Sequence, residues 1–222
     1  MDKKALSSLT KKIIMALMGL FLILFLFVHL GINMLVLINK EWFNIAAHFM
    51  ATNWIVKVFE VGLFLFFLIH IIFGIILYFE NSASRPVGYK VKFSSEQSYF
   101  SKYMIHTAVI ILIFLVLHMI GFYFKSKLGD MSAYHLEGKD YHNMAQLVID
   151  TFQNIGVVLF YVFVFILLGF HLHHGFQSAF QSLGINHPKY NKCIYTAGSL
   201  VAIILTLGFI SIPLIIYFGN IH

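Results

Sequence analysis

The stretch VGLFLFFLIHIIFGIILY, residues Val61 to Tyr78, places a single imidazole, that of His70, within an otherwise apolar run. The hydrocarbon core of a membrane has no water to satisfy such a group, so an ionisable side chain there indicates a functional site. The same arrangement, one histidine late in a long apolar run, recurs at His29, His118 and His171. Four such histidines make two pairs, and two pairs predict two bis-histidine haems.

The composition is that of an integral membrane protein. Of the 222 residues, 60% are hydrophobic and 11% are charged, a larger apolar share and a smaller charged share than a soluble domain has. Five apolar runs each come near or above the roughly 20 residues that a membrane-spanning helix needs. We place them in one domain covering 1–222, at about 13–38, 54–79, 103–124, 153–178 and 194–218. The predicted fold class is an all-α bundle of five transmembrane helices.

Several kinds of segment and site are excluded. The first apolar run is longer than a signal-peptide core of about 7 to 15 residues, and no small-residue cleavage site follows it, so we expect it to be retained. Because Cys193 is the single cysteine, disulfides, thiolate metal sites and iron–sulfur clusters within the chain are excluded. We find no catalytic triad, phosphate-binding loop or dinucleotide glycine motif in a workable position. Nucleotide and hydrolytic chemistry is therefore not expected.

The net charge of +6 comes from basic residues that lie in short loops beside the helices. Membrane topology explains such a distribution, so we expect no nucleic-acid partner. Basic residues gather before the first helix, around the loop after the second and before the fifth: Lys3, Lys4, Lys11, Lys12, Arg85, Lys90, Lys92, Lys102, Lys189 and Lys192. By the positive-inside rule these segments are cytoplasmic, which puts the N-terminus inside and the C-terminus outside. The longest connection, residues 125–153, contains SAYHLEGKDYHN, which we predict to fold as a lid or short surface helix.

This topology orders the histidines by depth. A rise of about 1.5 Å per residue places His29 and His118 about 25 Å above the cytoplasmic boundary, and His70 and His171 about 15 Å above it. Depth therefore pairs His29 with His118 in an outer layer and His70 with His171 in an inner layer, about 10 Å apart. Glycines that would leave room for a planar macrocycle lie near three of the four: Gly74, Gly121 and Gly175.

The remaining histidines are weaker candidates. Spacing alone leaves His171, His173 and His174 all open as ligands; we favour His171 as the deepest and keep His174 as a contact of a haem propionate. His106, near the inner end of the third helix, contacts either lipid headgroups or a propionate. The others fall in loops or at the terminus, and their spacing matches no closed metal motif: His48, His135, His142, His187 and His222.

Glu60 is the acidic residue that stands out, about one and a half turns inside the outer end of the second helix. It has two interpretations: an ion pair with Lys57, one turn earlier, or a proton acceptor and donor for a quinone at the outer haem. Glu41, His48 and Asp150 are weaker candidates at the same surface.

Five segments, FVHLGINM, FNIAAHFM, LIHIIFG, LVLHMIGF and GFHLHHGFQSAFQSLGIN, together resemble the cytochrome b membrane-anchor subunit of succinate dehydrogenase and fumarate reductase. More narrowly, they resemble the five-helix, di-haem, single-chain anchor of bacteria such as Bacillus and the Bacteroidetes. In that family four intramembrane histidines ligate two b haems, a role that the resemblance carries to His29, His70, His118 and His171. The family also pairs the first helix with the third and the second with the fourth, and its fifth helix has no ligand.

The resemblance implies a respiratory complex II in the bacterial cytoplasmic (inner) membrane, with an FAD-containing flavoprotein and an iron–sulfur subunit on the cytoplasmic face. Electrons from succinate, an intermediate of the tricarboxylic acid cycle, would enter at the inner haem and reach a membrane quinone, with menaquinone expected, near the outer one. Fumarate reduction would reverse this path, and the succinate site lies on another subunit. By the same resemblance, polar residues at the helix ends would hold the inner haem propionates: Ser8, Lys12, Arg85 and Lys102.

Three other interpretations remain open. A cytochrome b subunit of a hydrogenase or formate dehydrogenase also binds two haems, but one of its helices typically contributes two ligands. A metal or proton transporter would use the histidines as a relay, although such proteins often show inverted repeats and broken helices, and Pro213 is the one proline within a predicted span. A structural anchor without haem would leave the four intramembrane imidazoles unexplained.

Overall fold

The computed structural model describes residues 6–83, 96–129, 133–136, 139–185, 187–219 and 221, with the side chains at 96–102, 136 and 139 outside this description. The elements follow one another in chain order, with a π-helical turn at Met119–Phe124: α1 (Ser8–Ile38), α2 (Lys40–Thr52), α3 (Trp54–Ala83), α4 (Glu96–His118), α5 (Lys125–Leu128), β1 (Ala133–Leu136), β2 (Lys139–His142), α6 (Met144–Thr151), α7 (Ile155–Ser182) and α8 (Pro188–Phe218).

Five helices are long and apolar enough to cross a membrane: Ser8–Ile38, Trp54–Ala83, Tyr103–Leu128, Ile155–Ser182 and Pro188–Phe218. They correspond one to one to the five predicted spans, and they confirm a mostly helical chain of the kind found in multi-pass membrane proteins. Several extend beyond the predicted runs, because helical hydrogen bonding continues to a capping residue whereas the apolar pattern stops at the first polar one.

Asparagine side chains set several of the helix starts. Asn39 precedes α2, Asn53 precedes α3 and Asn154 precedes α7, and each side-chain oxygen accepts hydrogen bonds from backbone N–H groups two and three positions later. Asn143 caps α6 in the same way through the N–H of Gln146. Such a cap stabilises a helix by about 1 kcal/mol. The chain therefore breaks sharply between successive helices.

Within SAYHLEGKDYHN, Ala133–Leu136 and Lys139–His142 form an antiparallel pair of strands, which we call the hairpin, with Tyr134 opposite Tyr141. The predicted surface helix is therefore wrong for this piece. On both sides of the Glu-Gly dipeptide a large apolar residue alternates with polar ones, as in YHLE and DYH. This period of two favours strands. A short helix does occur in the same connection, but later, at α6. His48, predicted in a loop, lies within α2.

Helix α2, the hairpin and α6 together form a cap over one end of the bundle, which we call the capped end. Asn44 is 1% exposed; its amide donates to Asn143 Oδ1 at 3.2 Å and its oxygen accepts from the Ala145 N–H at 2.8 Å. The ring of His48 contacts that of Tyr141. The pKa of the Tyr134 phenol is raised by desolvation first and by the neighbouring carboxylate of Glu41 second. These contacts join all parts of the cap.

Packing is tightest where α8 meets α7 and α1. A Cβ atom added at Gly208 would lie 2.6 Å from Leu30 of α1, and one added at Gly198 would lie 2.8 Å from Phe176 of α7. These helices therefore approach closely, as small residues permit in membrane proteins. Among the side chains that the structure describes, Leu77 is the buried one of α3 and Phe114 that of α4. Helices α3 and α4 thus present most of their apolar surface outward.

Candidate functional site

His29 of α1 and His118 of α4 face each other towards the capped end. Their ring centres are 5.9 Å apart and the rings are nearly perpendicular, at 83°. Both side chains are half-buried. The structure therefore brings together the two histidines that the depth estimate paired in the outer layer.

Aromatic rings surround this first pair. One turn before each histidine a phenylalanine stacks on its imidazole: Phe25 on His29 at 5.3 Å and Phe114 on His118 at 5.5 Å. Phe122 lies on the other side of His118, at 5.1 Å. These stacked contacts hold the imidazoles in place and keep water from them.

Polar contacts to the two imidazole rings of this pair are few and long. The Asn33 amide donates to the carbonyl of His29 at 2.8 Å and lies 3.5 Å from both ring nitrogens. The Tyr161 hydroxyl lies 3.5 Å from Nδ1 of His118, the outer limit of a hydrogen bond. Asn33 and Tyr161 therefore orient the rings only weakly.

His70 of α3 and His171 of α7 form the second pair, further from the capped end. Their ring centres are 6.5 Å apart with an angle of 69° between the planes. Nδ1 of each ring is buried without a hydrogen bond of normal geometry, although the backbone of Met15 interacts with His70. Leaving a polar group buried without a partner costs about 1 to 3 kcal/mol, so these atoms mark a place where a ligand would stabilise the protein.

Of the three clustered histidines, His171 is the one whose ring faces His70. His173 points to α8 instead, with Nε2 3.1 Å from the hydroxyl of Ser199 and 3.0 Å from the amide of Gln177. His174 is half-buried. The geometry therefore separates three residues that spacing left equivalent.

The two pairs lie at different levels of the bundle. His70 packs against Gly19, ten positions before His29 on α1, and His118 contacts Tyr161, ten positions before His171 on α7. Ten residues of helix rise about 15 Å, so both helices separate the pairs by more than the 10 Å expected. The expectation took three charged residues and one phenylalanine, namely Lys12, Glu80, Lys102 and Phe180, as one common boundary, whereas the helices begin and end at different heights.

These pairs suit a cofactor that needs two protein ligands for its metal. An imidazole nitrogen lies about 2 Å from a metal that it ligates, so two opposed rings with one metal between them have centres roughly 6 Å apart. Both measured separations are close to this value. In the part of the chain that the structure describes, no group of three or more histidine, cysteine or acidic side chains gathers to hold a bare ion. Haem, whose porphyrin supplies the other four ligands, fits two imidazoles per iron.

Glu60 lies near the capped end of α3 and faces the end of α4. The Tyr123 hydroxyl donates a hydrogen bond to Glu60 Oε1, and the Lys127 ammonium lies 3.7 Å from Oε2. The partner expected from the sequence was Lys57, but that side chain is exposed on α3. The acid is therefore tied to a different helix, by residues that the sequence did not single out.

The expected propionate contacts are only partly described. Ser8 is exposed and Lys12 half-buried at the end of α1 opposite the cap; Arg85 and the side chain of Lys102 lie outside the described residues. In the same region Lys11, which the sequence analysis did not select, pairs with Glu80 of α3.

Sequence reasoning missed Asn33, Tyr161, Tyr123 and Lys127. A usable signal existed for one of them, since Asn33 follows His29 by four positions and so lies on the same face of α1. The other three reach their partners from different helices, and only the tertiary structure shows that.

Comparison with known proteins adds no relative: no protein-family profile, curated protein or solved structure matches the chain.

Proposed function

We propose that this chain is the membrane-anchoring, electron-transferring subunit of a succinate:quinone oxidoreductase, binding two b haems. His29 and His118 would hold one haem, and His70 and His171 the other. One observation carries the proposal: two pairs of imidazoles, each contributed by two different helices, face each other at ring separations of 5.9 and 6.5 Å within an apolar bundle.

The surroundings of the pairs favour haem over a proton relay. A relay needs hydrogen-bonding groups in contact along its length, yet about 15 Å of helix separates the two levels. The segment of α1 between Gly19 and His29 is LFLILFLFV, and that of α7 between Tyr161 and His171 is VFVFILLGF. Apolar side chains of this kind match the hydrophobic edge of a macrocycle and exclude water.

When bound, the haems supply one-electron chemistry. The protein's part would be to hold each iron through two imidazoles, to bury the site and to set the basicity of the ligands through their neighbours. Tyr161 and Asn33 act on the first pair, and the backbone at Met15 acts on His70. Glu60, held near the capped end, accepts or donates the proton that accompanies quinone chemistry.

The proposed orientation rests on the positions of the basic residues, and the proposed partners rest on the family resemblance. The positive-inside rule puts the N-terminus in the cytoplasm and the C-terminus outside, so the capped end would be the outer one. A flavoprotein and an iron–sulfur subunit would then bind at the opposite end, where Lys11, Lys12, Lys189 and Lys192 lie. This arrangement gives the His70–His171 haem the role of electron entry, and the His29–His118 haem that of exchange with menaquinone in the bacterial inner membrane.

The full chain, expressed in membranes and purified in detergent, tests the proposal directly. A pyridine haemochrome assay should give two b haems per chain, and a redox titration should resolve two midpoint potentials. A water-soluble naphthoquinol should then reduce both haems. Absence of haem would overturn the proposal and favour a histidine-lined transporter; haem that no quinol reduces would favour a different redox partner, such as that of a hydrogenase.

A further inference from the structure

The helix that carries His118 changes its winding directly after that residue. Met119–Phe124 forms a π-helical turn, and α5 continues from Lys125. A π turn closes its hydrogen bond on the fifth residue along, whereas an α turn closes on the fourth. Tyr123, five positions after His118, therefore lies about one turn beyond it on a neighbouring part of the helix surface. In a regular α-helix of 3.6 residues per turn, Tyr123 would instead lie on a different face of the helix from His118.

Three polar groups meet at this point. Tyr123 donates to one oxygen of Glu60, and the Lys127 ammonium lies 3.7 Å from the other. The same ammonium lies 5.7 Å from the centre of the Tyr123 ring. Both carboxylate oxygens thus have a partner from the segment that follows α4, so the acid has a defined orientation.

The cluster is accessible from the side of the bundle. The side chains of Glu60 and Lys127 are 23% and 33% exposed. Phe64, one turn after Glu60, packs edge-on against Tyr123 at 5.5 Å and is itself 45% exposed. The surrounding surface of α3 and α4 is apolar, with Ile120 and Phe124 exposed beside the cluster. This apolar surface suits a ligand that is soluble in the bilayer and carries a polar head group.

We propose that Tyr123 and Lys127 are positioning residues for quinone chemistry, holding the Glu60 carboxylate towards a quinone head group that enters between α3 and α4 from the bilayer. This inference rests on the proposed function. In quinol oxidation the two electrons would be accepted by the bound haems, one each. One quinol O–H bond breaks as its proton forms an O–H bond with Glu60, and the second proton leaves to water at the capped end.

The test is the rate at which 2,3-dimethyl-1,4-naphthoquinol reduces the haems of the full chain, followed by stopped flow over a range of quinol concentrations. Tyr123→Phe should lower the maximal rate by about 10- to 100-fold, the scale for loss of an orienting partner of a functional group, with the half-saturating concentration unchanged. Lys127→Met should do the same, and Lys127→Arg should restore at least half of the rate. Haem content should stay at two per chain throughout.

Matched controls keep the outcomes distinct. Tyr190→Phe changes an exposed tyrosine on α8, and Lys125→Gln changes an exposed lysine two positions before Lys127. Both variants should leave the rate of haem reduction unchanged. Wild-type rates in Tyr123→Phe and Lys127→Met would overturn this inference alone. An equal loss in Lys127→Arg and Lys127→Met, or a raised half-saturating concentration without a lower maximal rate, would also overturn it. A wild-type chain whose haems no quinol reduces would overturn the proposed function as well.

Discussion

The two histidine pairs look alike in the sequence but differ in their surroundings. His29 and His118 lie among stacked phenylalanines, with Asn33 and Tyr161 at the edge of hydrogen-bonding distance. His70 and His171 have buried Nδ1 atoms without a hydrogen bond of normal geometry. The first pair is therefore held by protein contacts, whereas the second depends more on what binds between its rings.

The two histidine pairs also lie near different ends of the helical bundle. The first is near the capped end, where α2, α6 and the hairpin join through Asn44. The second lies closer to the end where Lys11 pairs with Glu80. A change near one pair should therefore act on that pair alone, because about 15 Å of apolar helix separates them. This independence can be tested.

Removing a ligand should have the largest effect. We expect His118→Ala or His29→Ala to abolish one haem, and His70→Ala or His171→Ala to abolish the other, so that haem content falls to about half in each variant. The residual haem should keep its own midpoint potential in a redox titration. Both members of a pair should give the same spectrum, that of the one remaining haem, because either substitution removes the same haem.

The double variant and a control sharpen this prediction. His29→Ala combined with His118→Ala should resemble either single variant, whereas His29→Ala combined with His70→Ala should bind no haem. His142→Ala, in the exposed hairpin, should retain both haems. Full haem content in all four single variants would contradict the ligand assignment.

Crowding one ring should have a smaller, local effect. A Cβ atom at Gly19 would already be in van der Waals contact with His70 Cε1, at 3.4 Å, so the two further methyl groups of Gly19→Val should crowd the ring, and overpacking of this kind costs about 1 to 3 kcal/mol. We expect weaker binding or a shifted potential for the His70–His171 haem and an unchanged His29–His118 haem. In Gly31→Val, on the same helix with no atom within 4 Å of the added Cβ, both haems should be unchanged. Identical redox titrations for the two variants would show that the ring does not need this space.

Loosening the cap should act on the other pair. Asn44→Ala removes the acceptor of the buried Ala145 N–H, which costs about 1 to 3 kcal/mol. Hydrogen exchange at the start of α6 should therefore accelerate by about 10- to 100-fold, and the His29–His118 potential should move more than the His70–His171 potential. Gln146→Ala removes only a contact to Asp150 within α6 and should change neither. An equal shift of both potentials would contradict the independence of the pairs.

Sequence alone was sufficient for the features that depend on local rules. Five spans follow from apolar length. The starts of α1, α4 and α8 lie five to seven residues before the predicted ones, because these helices continue through polar residues. The adjacency of His29 with His118 and of His70 with His171 followed from depth, because position along a straight helix is set by residue count. Haem ligation by these residues stays a prediction.

Features that depend on how a helix is rotated about its own axis could not be predicted from the sequence. The apolar surface of α4 continues all round, so periodicity does not show which way Tyr123 points. The π turn after His118 then rotates every later residue, including Lys127, relative to a regular helix. The choice among His171, His173 and His174 was open for the same reason, and only the tertiary structure places His171 opposite His70 and turns His173 towards Ser199 of α8.

The smallest expected effect is that of the Tyr161 hydroxyl, which lies 3.5 Å from His118 Nδ1. If Nε2 ligates iron, Nδ1 carries the proton and donates a hydrogen bond to the phenol oxygen, which raises the basicity of the ligand and favours the ferric state. Tyr161→Phe should therefore raise the midpoint potential of the His29–His118 haem. Loss of a weak hydrogen bond worth about 0.5 to 1 kcal/mol corresponds to about 20 to 40 mV for a one-electron couple.

A redox titration of the purified chain resolves a shift of this size. The His70–His171 haem should not move, and Tyr195→Phe, which alters a tyrosine in the part of α8 away from the cap, should move neither haem. A lowered His29–His118 potential would mean that the phenol donates to an unprotonated Nδ1, so that the contact weakens the ligand instead. An equal shift of both haems would mean that Tyr161 acts through the packing of α7, and the contrast between a held pair and a ligand-dependent pair would then be lost.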